Sequence, residues 1–329
     1  MVHRFAAFSR REAFLAKWVR NFLLRRLLQS VVLLLVVVTA IFFLIHLTPG
    51  GPEAALANNP RTSPEEIARL RERFGLTDPL PVQYLRWLTN AAHLDFGRSY
   101  FYSRPAIEVV TERLGPTVQL GVMSYIVALL GVPLGLLAAM NRGKLGDGLI
   151  RLLTTLGHAM PTWWFGLTLI VVLNSLIGWF PNGQGSGGPW QWFIYIIFPA
   201  MVLGLAALVT FTRFVRSEVL EVLNQDYVRT AHAKGLPMPF VTTAHVMRNA
   251  LLPVVTLLGY VLPTVLSGAL ITEYVFAWPG IGRLFYEAAV ARDYPILLAI
   301  LTMTTMATII GTLIADVAYG VVDPRVRYA

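Results

Sequence analysis

Cysteine is absent and charge is scarce. With no thiol among 329 residues, disulfides, thiolate zinc sites and iron–sulfur ligation are excluded. Charged residues make up 14% and hydrophobic ones 56%, against roughly 25% charge in an ordinary soluble domain. That balance describes a polytopic membrane protein. Enzyme signatures are missing too. The one Gly-Lys pair, Gly143 and Lys144, lacks the upstream glycine of a phosphate-cradling G-x-x-x-x-G-K-[ST] loop. No G-x-S-x-G elbow is present. The six histidines include no pair three or four apart, so no helical metal site is expected. The energy for any transport must come from an ion gradient or from another subunit. A net charge of +9 invites a nucleic-acid reading. The basic residues, however, are scattered between apolar runs and form no aromatic-interleaved basic face, so nucleic acid is not an expected partner.

What is present is a series of lipid-length apolar stretches. A helix needs about 20 apolar residues to cross the hydrocarbon core, and six stretches qualify: Leu27 to Leu47, Thr117 to Met140, Leu152 to Ile177, Phe193 to Phe214, Leu251 to Phe276 and Pro295 to Val321. The first is too long for a signal peptide's core and is followed by no cleavage pattern, so it reads as a retained span. Basic residues then set the orientation. Arg4, Arg10, Arg11, Lys17, Arg20, Arg25 and Arg26 precede the first span. Arg142, Lys144 and Arg151 follow the second, and Arg213, at the end of the fourth, is followed by Arg216, Arg229, Lys234 and Arg248. Both termini are therefore expected in the cytoplasm. The expected organisation is a basic cytoplasmic N-terminus (1–26), a first span (27–47), a folded extracytoplasmic loop (48–116), a five-span core (117–321) with a cytoplasmic loop at 217–250, and a cytoplasmic tail (322–329).

The first external loop has helix signals of its own. Ser63, Pro64 and Glu66 form a capping box with Gly75 placed as its stop. A second helix is expected after Pro81, with Tyr84, Leu85, Trp87 and Leu88 on one side. A third, Pro105 to Leu114, reads as an amphipathic helix at the membrane surface. Inside the spans the ionisable groups singled out are His46, His158 and Asp316. Each lies near a span end, where an interfacial hydrogen bond is a better reading than a proton relay.

The polar insert 226–253 carries the most specific pattern. Asp226 is suited to N-cap a helix over Tyr227 to Lys234. Gly235 can then take the left-handed stop, and Pro237 and Pro239 prevent continuation. Such a helix is too short to persist alone in water and needs a surface to pack on. Tyr227, Ala231 and Gly235 share one face at spacing four, and Arg229 and Lys234 flank it. On these residues alone, a connector lying on lipid headgroups and a protein-docking helix are equally good readings.

The insert resembles the EAA loop of bacterial ABC importer permeases. Arg229, Thr230 and Ala231 occupy the triplet position and Gly235 the glycine, although only the second alanine and the glycine match the consensus. The continuation His245 to Pro253, which contains Arg248 and Asn249, is similar to the dipeptide, oligopeptide and nickel branch of that family. So are Pro49 to Pro52, Phe74 to Leu80, Asp95 to Tyr100, Trp278 to Gly282, Arg292 to Pro295 and Asp323 to Arg325. The resemblance implies an all-α, six-span permease with the type I importer fold. It implies a second homologous permease making a heterodimer, two ABC ATPase subunits and an extracytoplasmic substrate-binding protein, all around a chain set in membrane lipid. This chain would bind no cofactor, since ATP and Mg are used by the ATPase subunits. Asp226, Tyr227, Arg229, Thr230, Ala231, Lys234 and Gly235 would form the coupling helix, supported by His245, Arg248, Asn249 and Pro253. Di- or oligopeptides are the expected cargo, with nickel or another small solute as the alternative. Trp163, Trp164, Asn174, Tyr260 and Thr264 are candidates for the path. Readings from other classes are a gradient-driven carrier and a non-transporting scaffold.

Overall fold

The computed structural model describes residues 25–48, 76–178, 188–242 and 269–322, with isolated positions between them (65, 68, 69, 72, 246 and 247). The capping box at Ser63 to Glu66 and most of the fifth apolar stretch lie outside the described residues. Among the described residues, helices make all the regular elements except one isolated antiparallel bridge between Arg98 and Pro105.

Helix α1 (Arg25–His46) is a lipid-length apolar helix. Helix α2 (Leu80–Ala91) starts behind Pro79 and has proline in its first turn, where a missing N–H leaves nothing unsatisfied. Its aromatic side packs on α1: Tyr84 and Trp87 lie 5.3 and 5.4 Å from the Phe42 ring, and the Tyr84 hydroxyl is 2.6 Å from Thr39 Oγ1.

The separate surface helix expected over Pro105 to Leu114 is not found. Helix α3 (Ala106–Leu129) runs on through Pro116, and α4 (Gly131–Met140) prolongs it into a single apolar helix, Ala106–Met140. Ala106, Val109 and Val110 begin a buried stripe that continues through Thr117, Leu120, Gly121 and Ser124. That unbroken 3.6-residue period outweighs the one hydrogen bond that proline removes. Ala106, Val109 and Val110 belong to a core formed with Ile296 to Ile300 and are not an interfacial face.

The third expected span is not one straight helix either. Helices α5 (Leu145–Ala159) and α6 (Thr162–Ile177) meet at 107°. Met160, extended at φ −80° and ψ 126°, precedes Pro161, and proline disfavours the helical conformation in the residue before it. Helix α7 (Pro189–Leu223) is long and unbroken. It lies against α3 and α4 with no side chain between the backbones at three glycines. A β-carbon on Gly131 would come within 2.4 Å of the Leu208 carbonyl, on Gly135 within 2.6 Å of the Thr212 carbonyl, and on Gly204 within 2.4 Å of the Ser124 carbonyl. Without a hydrophobic drive between helices in lipid, small residues of this kind permit the close van der Waals approach that holds them together.

After α7 come the short α8 (Asp226–Ala233) and α9 (Met238–Val241), then α10 (Leu270–Val275), α11 (Ile281–Ala291) and the long α12 (Tyr294–Val322). Four of the described helices can each cross a bilayer, and five spans result when the bent α5–α6 pair counts as one.

Candidate coupling surface and two buried carboxylates

Helix α8 forms where the insert suggested, displaced by one residue. The Gln225 carbonyl accepts the N–H groups of Val228 and Arg229 at 3.1 and 3.2 Å, so Gln225 takes the capping position. Asp226 instead stands in the first turn, where its charge suits the positive end of the helix dipole. Thr230 Oγ1 donates to the Asp226 carbonyl at 2.9 Å. Arg229 and Asp226 approach to 3.6 Å on the exposed side, a pairing worth little in solvent. Gly235 ends the helix at φ +77°, and nothing lies within 4 Å of where a β-carbon would sit. Backbone conformation, not space, therefore calls for glycine here.

The buried face differs from the one expected. Val228 and Ala231 point into the chain, packed with Val215 and Val219 of α7 and with Val241 and Val246. Ala231 thus anchors α8 to its own subunit and is removed from any docking face. Tyr227, 42% exposed, remains on the outside with Arg229, Thr230, Lys234 and Gly235. Sequence spacing put Ala231 and Tyr227 on one side because they are four apart. The packing surface of α7 turns the helix so that the Val228–Ala231 pair, three apart, is the seam. The supporting residues His245, Arg248, Asn249 and Pro253 fall outside the described residues.

Of the path candidates, Trp163, Trp164 and Asn174 all lie exposed on α6, while Tyr260 and Thr264 are outside the described residues. A cavity of about 100 Å³ between α3, α7 and α10 is lined by other residues, among them Thr117, Ser124, Tyr125, Gly204 and Glu273.

Glu273 lies inside the fifth apolar stretch and was missed in the sequence. It is fully buried, and its carboxylate closes the N-terminus of α11. The Thr117 hydroxyl donates to Oε1 at 2.9 Å, and the Arg283 N–H donates to Oε2 at 3.1 Å. Thr117 Oγ1 in turn accepts the Ile281 N–H at 2.8 Å. The Trp278 indole N–H donates to the Pro116 carbonyl at 2.9 Å. Gly280 must be glycine, since a β-carbon would stand 2.3 Å from the carboxylate. The Trp278 to Gly282 motif is thus the socket for Glu273 and for the Pro116–Thr117 turn within α3. An acid in so apolar a run is expensive unless partnered, which is the signal that would have found it.

Asp293 makes the second such joint. It is buried at the start of α12 and accepts from the Ser99 hydroxyl and, at 3.2 Å, from the Phe101 N–H. Ser99 Oγ also accepts from the Tyr102 N–H at 2.8 Å. The motifs Asp95 to Tyr100 and Arg292 to Pro295, far apart in sequence, are therefore two halves of one clamp. Of the ionisable span residues singled out, His46 donates its Nδ1–H to the Phe42 carbonyl, 2.8 Å away, and stacks on the Phe42 ring. His158 is exposed in the last turn of α5.

A helical bundle with several lipid-length spans and a short polar helix held beside one of them is the architecture of a polytopic membrane protein. Comparison with known proteins gives the family. Residues 131–328 match the binding-protein-dependent transport system inner membrane component model, and residues 19–121 match the N-terminal domain model of such components. The chain belongs to this family, and is a multi-pass inner-membrane subunit of an ABC importer, not an enzyme. It is 39% identical over 314 residues to the oligopeptide transport system permease AppB of Bacillus subtilis, covering 93% of this chain and 99% of AppB. It is 34% identical over 310 residues to a putative peptide transport system permease of Brucella abortus, covering 93% and 98%. It is 37% identical over 309 residues to the glutathione transport system permease GsiC of Salmonella paratyphi A, covering 94% and 99%. A chain of the MetNI methionine ABC transporter, in an inward-facing crystal form, matches with a TM-score of 0.46 at 16% identity over 64% of this chain and 95% of that one.

Proposed function

We propose that this chain is one of two permease subunits of a di- or oligopeptide importer, and that α8 is the helix through which ATPase subunits drive it. The observation that carries the reading is the division of α8 into two faces. Val228 and Ala231 fasten it to α7, while Tyr227, Arg229, Thr230 and Lys234 are presented outward. A helix of this length persists only when packed, and α7 supplies one side of that packing. The exposed aromatic and basic side suits a groove on a protein with acids at its rim. The positive-inside rule then puts α8 and both termini in the cytoplasm, and a binding protein delivers cargo to the opposite face. Peptide as cargo rests on the oligopeptide, peptide and glutathione relatives, glutathione being itself a tripeptide. Nickel and other small solutes are the competing cargoes.

Glu273 bears on the gradient-driven alternative. A proton-coupled carrier needs a buried acid that changes partners, whereas this one is committed to capping α11 and gripping Thr117.

The test is Gly235→Asp. It forces a β-carbon into a left-handed conformation at the helix stop without filling any occupied space. Peptide uptake by the assembled importer is expected to vanish, while the external protein still binds peptide. Normal uptake would remove the coupling role. Adding nickel or glutathione as competitors in the same uptake assay identifies the cargo.

A further inference from the structure

Asp147 stands in the first turn of α5 with its side chain only 3% exposed. Arg216 of α7 faces it with two prongs, Nε to Oδ1 at 2.7 Å and a terminal nitrogen to Oδ2 at 2.9 Å. The Gly143 N–H adds a third donor at 3.2 Å. Removing two charges from water offsets most of what their attraction gains, so a sheltered ion pair is weak evidence for stability. Two parallel charged hydrogen bonds do, however, fix orientation.

Position explains what is being oriented. Arg216 lies between Val215 and Val219, the two α7 residues that bury Val228 and Ala231 of α8. Gly135 of α4 presses on the backbone at the same level, since a β-carbon there would lie 3.1 Å from the Arg216 nitrogen. Helices α4, α7 and α8 therefore form one packed body. Helix α5 is different: its only buried residues are Asp147, Thr154 and Gly157, and Leu145, Leu149, Leu152, Leu153 and Leu156 are exposed. Its first turn is held to that body by the ion pair, and its last turn by Gly157 against Val209 and Leu205.

We propose that Asp147 and Arg216 are a positioning pair that passes displacement of α8 along α7 into α5 and, through the break at Pro161, into α6 with Trp163 and Trp164. This inference rests on the coupling role assigned to α8. The pair is a rigid joint at a place where apolar packing is thin, so it moves α5 with the coupling helix instead of letting it slide.

The experiment uses the chain in its assembled importer, purified from membranes through a tag and placed in vesicles, with peptide uptake per ATP hydrolysed as the readout. Arg216→Lys keeps the charge but loses the fork, and Asp147→Asn keeps the shape. Both are expected to assemble and hydrolyse ATP while uptake per ATP falls about tenfold. The absence of cysteine allows a decisive second variant, Asp147→Cys with Arg216→Cys. It should be uncoupled when reduced and regain uptake per ATP when joined by a short bifunctional thiol reagent. The proposal is overturned if uptake per ATP stays within about twofold of the unmodified chain in both single variants, if uptake declines only in step with assembly, or if cross-linking restores nothing. Should no ATP-hydrolysing subunit accompany the unmodified chain, the coupling reading of α8 fails first and the pair's role falls with it.

Discussion

Two regions along the α3–α4 helix are built on opposite plans. Near Thr117, polar groups are buried and fully engaged: Glu273 closes α11 against α3, and Asp293 closes α12 against the Ser99 loop. Roughly 35 Å along the helix, near Met140, the sheltered Asp147–Arg216 pair lies beside a short helix with one face outward. The first plan welds helices together through carboxylates that accept backbone N–H groups from helix starts. The second leaves binding capacity unspent. An importer subunit needs both, because a docked helix can move a span only if that span's far end is fixed in the bundle.

The largest effect should come from breaking the weld. Glu273→Ala leaves the Thr117 hydroxyl and the Arg283 N–H without their acceptor and opens a void beside Gly280. A loss of about 3 kcal/mol or more is expected from unsatisfied donors and cavity together. It would be read as a lowered midpoint of thermal unfolding in detergent. Glu273→Gln keeps one acceptor but turns an amide toward a donor, and should lose about half as much. An alanine variant that melts with the unmodified chain would show that the carboxylate is not holding this region.

Asp293→Ala should come next, at about 2 kcal/mol, since it removes the carboxylate that faces the Ile296 N–H in the first turn of α12 at 3.5 Å and accepts from Ser99 and Phe101. Its signature is local. The loop 99–104 should become sensitive to protease while the α7–α8 region keeps its resistance. Uniform sensitisation along the chain would contradict the division into two differently built regions.

How much of this contrast the sequence displayed depends on whether the signal was local. The apolar lengths of α1, α7 and α12 were plain, because twenty or more apolar residues leave few alternatives. Gly235, with two prolines behind it, announced the end of α8 and takes the left-handed conformation. The break before Pro161 was also local, but apolar character on both sides hid it. Helix α3 misled in the other direction: the expected loop boundary at 116 falls inside it, and packing against α12 and Trp278 shows why the helix continues. Glu273 and Asp293 meet partners more than 150 residues away in sequence, so their motifs were visible but their roles were not. The buried side of α8 was likewise a tertiary matter, settled by Val215 and Val219 of α7.

The smallest expected change in stability gives the sharpest test of the outward face. Tyr227 is 42% exposed, and the α8 seam is made by Val228 and Ala231. Tyr227→Ala should therefore shift stability by no more than about 0.5 kcal/mol, the usual range for surface substitutions. If the ring instead fills a pocket on a docked partner, its loss should cost about 2 kcal/mol of association, the scale of an aromatic anchor at an interface centre. Melting of the isolated chain and retention of ATPase subunits on the tagged importer separate the two. Unchanged melting with weakened retention is the expected pair of results. Val228→Ala serves as the inverse control. It removes a buried anchor, so it should lower the melting midpoint of the isolated chain by an amount that corresponds to about 1 kcal/mol, and weaken retention only as far as α8 itself loosens. If Tyr227→Ala destabilises the isolated chain as much as Val228→Ala does, the aromatic ring belongs to the internal packing, and the docking surface must be sought on Arg229, Thr230 and Lys234 alone.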